Sequence, residues 1–235
     1  MKTTTRPIFK SKLTRLSLAA LMALPMAANA ITTTTIDNFS ASSTDGWDGT
    51  GSFSESISGV LGGVRKIDFI FTGKFNGLII DAGLLSSATN KNIGVYTLTY
   101  DGGDAGLNLD LSAASFITVR ASADHWSLGN SFSHLSVALT DQSNNTQFLS
   151  LTPSIPVGNF GDILFNLNDS VFATLNKNHI SRISVSYTSA ISADTDFDLI
   201  SIQNAAVAMP VPEGDSALLM LMGFGLVNFM VRRRA

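Results

Sequence analysis

From residue 33 to residue 204 the chain runs in short alternations of apolar and polar side chains. Ile183, Val185 and Tyr187 fall on one face of an extended strand, and Ser184 and Ser186 fall on the other. Tyr96, Leu98 and Tyr100 alternate in the same way with Val95, Thr97 and Thr99. A period of two with one polar face is the signature of antiparallel sheet. Runs of this kind predict strands at 33–39, 52–57, 64–71, 77–81, 93–100, 115–121, 135–141, 147–151, 162–167, 180–187 and 196–204. Turn chemistry separates them: Asp45-Gly46, Gly62-Gly63, Asp101-Gly102-Gly103 and Ser143-Asn144-Asn145. One short helix is expected at 169–176, capped by Asp169, with Phe172 and Leu175 facing the core. This many short strands without an internal repeat predicts an all-β, antiparallel β-sandwich of jelly-roll type rather than a propeller or solenoid.

Two further apolar runs break the alternation, one at each end. Residues 16–27 form an apolar stretch behind a basic segment (Lys2, Arg6, Lys10, Lys12, Arg15) and ahead of Ala28-Asn29-Ala30. Basic, apolar and small-x-small segments in that order read as a secretory signal peptide over 1–30, cut after Ala30 by signal peptidase. Residues 216–231 form the second run, followed by Arg232, Arg233 and Arg234. As a helix it is slightly short for a bilayer core of about 30 Å, a mismatch that thinning and snorkelling accommodate. Its arginines would stay cytoplasmic and leave the body outside. The organisation expected is therefore a signal peptide (1–30), a sandwich (31–208) and a tail (209–235).

Composition narrows the function. Only 14% of the 235 residues are charged, and there is no Cys, which removes disulfides, thiol catalysis and thiolate metal sites. Between the two ends, residues 31–211 carry seven basic against sixteen acidic residues. A body this acidic argues against a nucleic-acid partner. Only Glu55 and Glu213 are glutamates; the other acids are aspartates, which suit turns.

The tail supports a resemblance. Val211-Pro212-Glu213, the apolar run and the terminal arginine cluster resemble the PEP-CTERM sorting signal of proteins exported by Gram-negative bacteria, usually makers of exopolysaccharide. The resemblance implies that an exosortase, a membrane transpeptidase, recognises Pro212-Glu213 and removes the tail. Gly214 stands where the family has proline. The body is similar to a group of exported PEP-CTERM proteins whose jelly-roll domain is like that of carbohydrate-binding modules. Gly59-Val-Leu-Gly-Gly-Val-Arg65, Tyr100-Asp-Gly and Asp196-Phe-Asp-Leu-Ile-Ser-Ile202 carry that similarity.

No catalytic constellation is legible. His125, His134 and His179 lie in separate segments without zinc-ligand spacing, and no nucleophile elbow or phosphate loop occurs in the body. A glycosidase needs two carboxyl groups, and Glu55 is the only glutamate in the body. Asp194, Asp196 and Asp198 alternate, so a strand would put them on one face, where like charges repel unless solvent or a cation relieves them. The expectation is one structural Ca²⁺ held by Asp37 on the first strand and Asp198 on the last, with Asp101-Gly102-Gly103-Asp104 as a weaker second site. No other cofactor is expected. For glycan stacking the candidates are Trp126, Trp47 and Tyr100, both tryptophans being expected in polar loops.

These readings converge on a non-catalytic exported protein of the cell surface or extracellular matrix. It would be held briefly in the membrane by its C-terminal helix and be structural or adhesive in an exopolysaccharide layer. A carbohydrate-binding module is the alternative, and a polysaccharide hydrolase the second alternative. Expressed in a bacterium that has an exosortase, the mature protein is expected to begin at Ile31 and to lack the apolar run and arginine cluster. Intact-mass measurement checks both ends, and a mass retaining residues 216–235 refutes processing at Pro212-Glu213.

Overall fold

Every strand pairing is antiparallel. In the computed structural model, which describes residues 32–40, 43–72, 76–103 and 105–204, fifteen strands follow in chain order. They are β1 (Thr33–Asp37), β2 (Ser43–Trp47), β3 (Thr50–Ser56), β4 (Val64–Phe71), β5 (Gly77–Asp81), β6 (Leu84–Ala88), β7 (Gly94–Tyr100), β8 (Ala114–Ala123), β9 (Ser127–Leu128), β10 (Ser131–Phe132), β11 (His134–Asp141), β12 (Thr146–Leu151), β13 (Gly161–Asn166), β14 (Ile180–Thr188) and β15 (Thr195–Asn204). A seven-stranded sheet runs β13-β8-β15-β6-β5-β2, with β1 also paired to β15. A six-stranded sheet runs β12-β11-β14-β7-β4-β3. The short hairpin β9-β10 stands apart. The sequence-based signal peptide, its Ala28 and Ala30, the Pro212-Glu213-Gly214 motif, the C-terminal helix and Arg232 to Arg234 lie outside the described residues.

The alternation puts the core between the sheets. Leu98, Tyr100, Ile183, Val185 and Tyr187 from the six-stranded sheet are buried against Ile117, Val119, Ala121, Phe197 and Ile200 from the seven-stranded one. Tyr96 and Tyr187 meet Phe197 across the gap in edge-on contacts of 5.7 and 5.5 Å. The Tyr187 hydroxyl is shared between Ser133 (3.0 Å) and Thr195 (2.6 Å). Burial, only partly offset by these two bonds, raises its pKa. Residues Ile31–Ala205 form one compact unit around this core.

The outer face of the six-stranded sheet is lined with hydroxyls. In one register row Ser52, Asp68, Thr97, Ser186, Ser136 and Ser150 lie side by side across all six strands. Neighbouring hydroxyls pair with one another, Thr97 with Ser186 at 2.9 Å and Thr99 with Ser184 at 3.3 Å. Cross-strand pairs of this kind stabilise a sheet modestly.

Two sequence expectations are corrected. The helix expected at 169–176 is instead two separate 3-10 turns, at Ser170–Phe172 and Lys177–His179. Asp169 still caps the first, accepting the Val171 N–H at 3.0 Å, and Phe172 and Leu175 are buried. A run this short, with β-branched and polar residues through it, lacks the length to nucleate an α-helix. Asp45-Gly46 is not a turn but lies within β2.

One polar cluster joins the sheets. Arg65 on β4 is fully buried. Its Nη1 donates to both Asp37 carboxylate oxygens, at 3.2 and 2.9 Å. Its Nε donates to Glu55 at 2.8 Å, and its Nη2 reaches the same Glu55 oxygen. The Tyr100 hydroxyl donates to Asp37 at 3.0 Å, as does the Phe39 N–H at 2.8 Å. The Phe39 ring lies 5.6 Å from the guanidinium carbon. Burial opposes the arginine's charge, but Asp37 and Glu55 outweigh it and raise its pKa further. Burial, reinforced by the Asp37 charge, pushes the Tyr100 phenol well above its usual pKa.

Two predictions follow from these polar contacts. Arg65→Met leaves Asp37 buried without its cation and should cost about 3–5 kcal/mol in urea unfolding; adding Asp37→Asn should recover part of that loss. Asp141 accepts the N–H groups of Asn176 (3.2 Å), Asn145 (3.1 Å) and Ser143 (2.8 Å). The Asn176 bond most of all, with those of Asn145 and Ser143, holds its carboxyl below the usual range against the effect of burial. A depressed pKa stabilises the fold fully above the ordinary value of about 3.9 and loses that effect as pH falls through the lower folded-state value. Asp141→Asn should therefore lower Tm at pH 7, with the gap from the wild type closing below about pH 4.

Candidate functional site

Four consecutive strands of the seven-stranded sheet form an open groove of about 520 Å³. Gly46, Trp47 and Asp48 line it from the end of β2, Asn76 to Ile79 from β5, Ser86 to Ala88 from β6, and Asp194 and Asp196 from the start of β15. Pairing in the order β15-β6-β5-β2 brings these distant segments together.

Each wall has a local cause. Trp47 ends β2 and registers with Leu78. One side of its indole packs on Phe53 at 5.0 Å and Phe69 at 6.3 Å, across the sandwich. Its register partner Leu78 is buried, so the half-buried indole lies on the core side of the sheet, and the open face of the groove passes beside the Trp47 backbone. Asn76 is nearly fully buried and supports the floor: its amide donates to the Thr72 carbonyl, and its Oδ1 accepts the Asn90 N–H. That ties the chain before β5 to the chain after β6. Ile79 is 38% exposed and is the apolar part of the open face. Gly77 has no room for a side chain, because a Cβ would come within 2.9 Å of the Trp47 carbonyl oxygen.

The polar groups converge from the other side. Asp196 accepts from Ser86 Oγ at 2.6 Å. Asp194 accepts the Thr89 N–H at 3.2 Å, while its own N–H donates to Asp124 at 2.9 Å. Asp48 is exposed at the rim. Among the described residues, three carboxylates and no lysine or arginine line the groove. Each carboxylate has about four acceptor positions, so these protein bonds leave free acceptors facing the groove. The exposed Ile79 side chain and the convergent acceptors make a surface for a ligand with both a hydrocarbon face and hydroxyl donors.

The structure brings together only some of the expected site residues. Asp194 and Asp196 do share a face. Asp198 is also on the outer face but lies outside the groove lining, at a bulge between Phe197 and Leu199. It pairs instead with Arg120 at 3.1 Å. The calcium site expected from Asp37 and Asp198 is not assembled. Asp37 points into the core, 1% exposed and neutralised by Arg65, whereas the Asp198 side chain is 43% exposed on the other side of the sheet. Asp101 in the weaker loop site is bonded to Lys66 at 3.0 Å and lies 3.9 Å from Arg182; Asp104 lies outside the described residues. Among the described residues no three His, Asp or Glu side chains cluster to hold a metal ion.

Two other candidates also change place. Trp126 is 7% exposed and belongs to the core, so it offers no open ring face for stacking. Tyr100 is fully buried with its hydroxyl on Asp37. Glu55, the hydrolase candidate, is committed to Arg65. The three histidines are dispersed: His125 contacts Asp124 and the Ile191 carbonyl, His134 contacts Thr152, and His179 contacts Asn108. Asn76, Ile79 and Ser86 were missed, because nothing in the sequence marks β6 or its pairing with β5 and β15.

No protein-family model matches the chain, and no curated protein matches it. Among solved structures, it is similar to the family 11 carbohydrate-binding module of a cellulosomal cellulase of Clostridium thermocellum. The identity is 16% over 75% of this chain and 96% of that one, with a TM-score of 0.38. A family 29 carbohydrate-binding module shows 10% identity over 78% of this chain and 96% of that chain, with a TM-score of 0.38. An agarase shows 11% identity over 58% of this chain and 24% of its own length, with a TM-score of 0.39. Likenesses this distant assign no ligand and no residue role to this chain.

Proposed function

We propose that this protein is an exported, non-catalytic glycan-binding module that holds polysaccharide at the cell surface or in the extracellular matrix. The groove along β15, β6, β5 and β2 carries the reading: the exposed Ile79 lies beside carboxylates that still have free acceptor positions. A pyranose ring matches both halves, with its C–H face on Ile79 and its hydroxyls donating to Asp48, Asp194 and Asp196. Three carboxylates, with no cation among the described lining residues, favour a neutral polymer and repel one bearing carboxylates or sulfates. The enclosure of Glu55 by Arg65 supports binding without hydrolysis. Export through the N-terminal signal and an exosortase-type route supplies the location, and exopolysaccharide the partner.

Residues 31–205 should bind neutral polysaccharide in affinity electrophoresis and leave acidic polysaccharide unretarded. Ile79→Ser should weaken binding roughly fivefold, the loss of the groove's exposed apolar contact. Asp48→Ala and Asp196→Ala provide the independent check, each lowering affinity with an unchanged melting temperature. Binding unaffected by all three substitutions refutes the groove as the site.

A further inference from the structure

Four strands end the two sheet orders, with β1 a further edge that is bulged between Thr35 and Asp37, and three of the four carry features that block pairing with another chain. At one end of the seven-stranded sheet, β2 is bulged between Ser43 and Trp47. At the other, β13 opens on Gly161 and exposes Asp162. In the six-stranded sheet β3 contains Gly51 and an inward-pointing charge, Glu55 on Arg65. Bulges, edge charges and inward charges are the usual devices that keep sheet edges from joining.

The fourth edge, β12, has none of them. It reads Thr146-Gln-Phe-Leu-Ser-Leu151, without charge, proline or glycine. Its register with β11 is unbroken from Thr140↔Thr146 to Leu135↔Leu151. Phe148 on its outer face is 63% exposed, the most exposed large apolar side chain among the described residues. The turn Ser170–Phe172 packs against the strand but leaves Phe148 uncovered. Among the described residues only β11 pairs with it, so alternate residues present unpaired N–H and C=O groups outward.

We propose that β12 is a self-association edge, pairing antiparallel with β12 of a second copy of this chain about a two-fold axis at Phe148. The occupant follows from the strand's own symmetry. With Phe148 opposite Phe148, Thr146 lies opposite Ser150 and Gln147 opposite Leu149, so every outer-face residue meets an outer-face residue. The aromatic pair covers the exposed rings, and two Thr–Ser pairs extend the hydroxyl rows of the sheet into the partner. No charge on either strand opposes the approach, although the body as a whole is acidic. The joined six-stranded sheets form one twelve-stranded sheet. A single strand pairing buries less than the roughly 1,200 Å² of a stable complex, so the dimer is a weak one, with a Kd in the micromolar range or above. This inference is independent of what the groove binds.

Sedimentation equilibrium on residues 31–205 and on the full chain in detergent, from about 1 to several hundred micromolar, tests it alongside hydrogen exchange. The expected result is a monomer–dimer equilibrium with concentration-dependent protection of amides 146–151. Phe148→Lys places two like charges at the axis and should weaken the dimer at least tenfold with an unchanged melting temperature. Ile70→Lys, at a position 51% exposed on the same face but on β4, should dimerise as the wild type does. A monomer at every concentration overturns the proposal, as does a dimer indifferent to Phe148→Lys or lost with Ile70→Lys. Protection of β12 that needs residues 206–235 and not concentration also overturns it, in favour of the chain's own tail.

Discussion

The sandwich depends on how one buried guanidinium is neutralised. Removing an ion from water costs several kcal/mol even after relaxation, so Arg65 can sit at zero exposure only if two carboxylates and their supporting donors arrive together. Glu55 arrives through the hairpin β3-β4, a local event. Asp37 arrives from the other sheet. β1 is five residues long, its first three residues are exposed, and it pairs only with β15; its apolar burial is essentially Ile36. The contact to Arg65 and Tyr100 therefore fixes where this strand lies against the opposite sheet. A hydrophobic replacement of the whole cluster could match its stability, but it would not tie one position of β1 to one position of β4. The cluster's contribution is registry.

That constraint explains the glycine-rich segment before it. Ile57 donates to the Gly63 carbonyl at 2.9 Å, and Gly63 donates to Val60 at 2.9 Å, closing the loop that delivers Arg65 to the core. Gly62 has φ 76°, and a Cβ there would come within 2.5 Å of Leu107 and 3.0 Å of the Gly102 backbone. The loop must be tight and left-handed while lying against the Asp101 turn, and only glycine meets both conditions.

The eleven strands read from the sequence are all present within a few residues, because a two-sided sandwich imposes period two on every strand with one face in the core. The strands that were missed fail that test for physical reasons. β2 is bulged and contains Asp45-Gly46, which reads as a turn when its partner β5 is unknown. β6 reads Leu-Leu-Ser-Ser-Ala, with no alternation to see. These two strands build half of the groove, so the site was less legible than the fold. Asp194 and Asp196 were visible as an alternating pair. Asp198 was not separable from them, because the Arg120 that engages it sits on the neighbouring strand β8. Arg65 was visible in its motif, but its partner Asp37 was assigned to calcium, since a lone aspartate carries no sign of the cation that neutralises it.

The hydroxyl row of the six-stranded sheet spans all six strands, yet the groove is the better binding surface. The deciding quantity is unused hydrogen-bonding capacity. On the hydroxyl face Thr97 pairs with Ser186 and Thr99 with Ser184; a ligand there exchanges one neutral hydrogen bond for another and gains little net energy. In the groove Asp194 and Asp196 each accept from one neighbour, and no cation among the described lining residues consumes the rest. Hydrogen bonds to a charged acceptor contribute roughly twice as much as neutral ones, and the exposed Ile79 beside them adds apolar contact area. A count of polar groups alone would favour the hydroxyl face. Charge left unpaired beside an apolar side chain favours the groove, and it is the pairing of β15, β6, β5 and β2 that puts the two side by side.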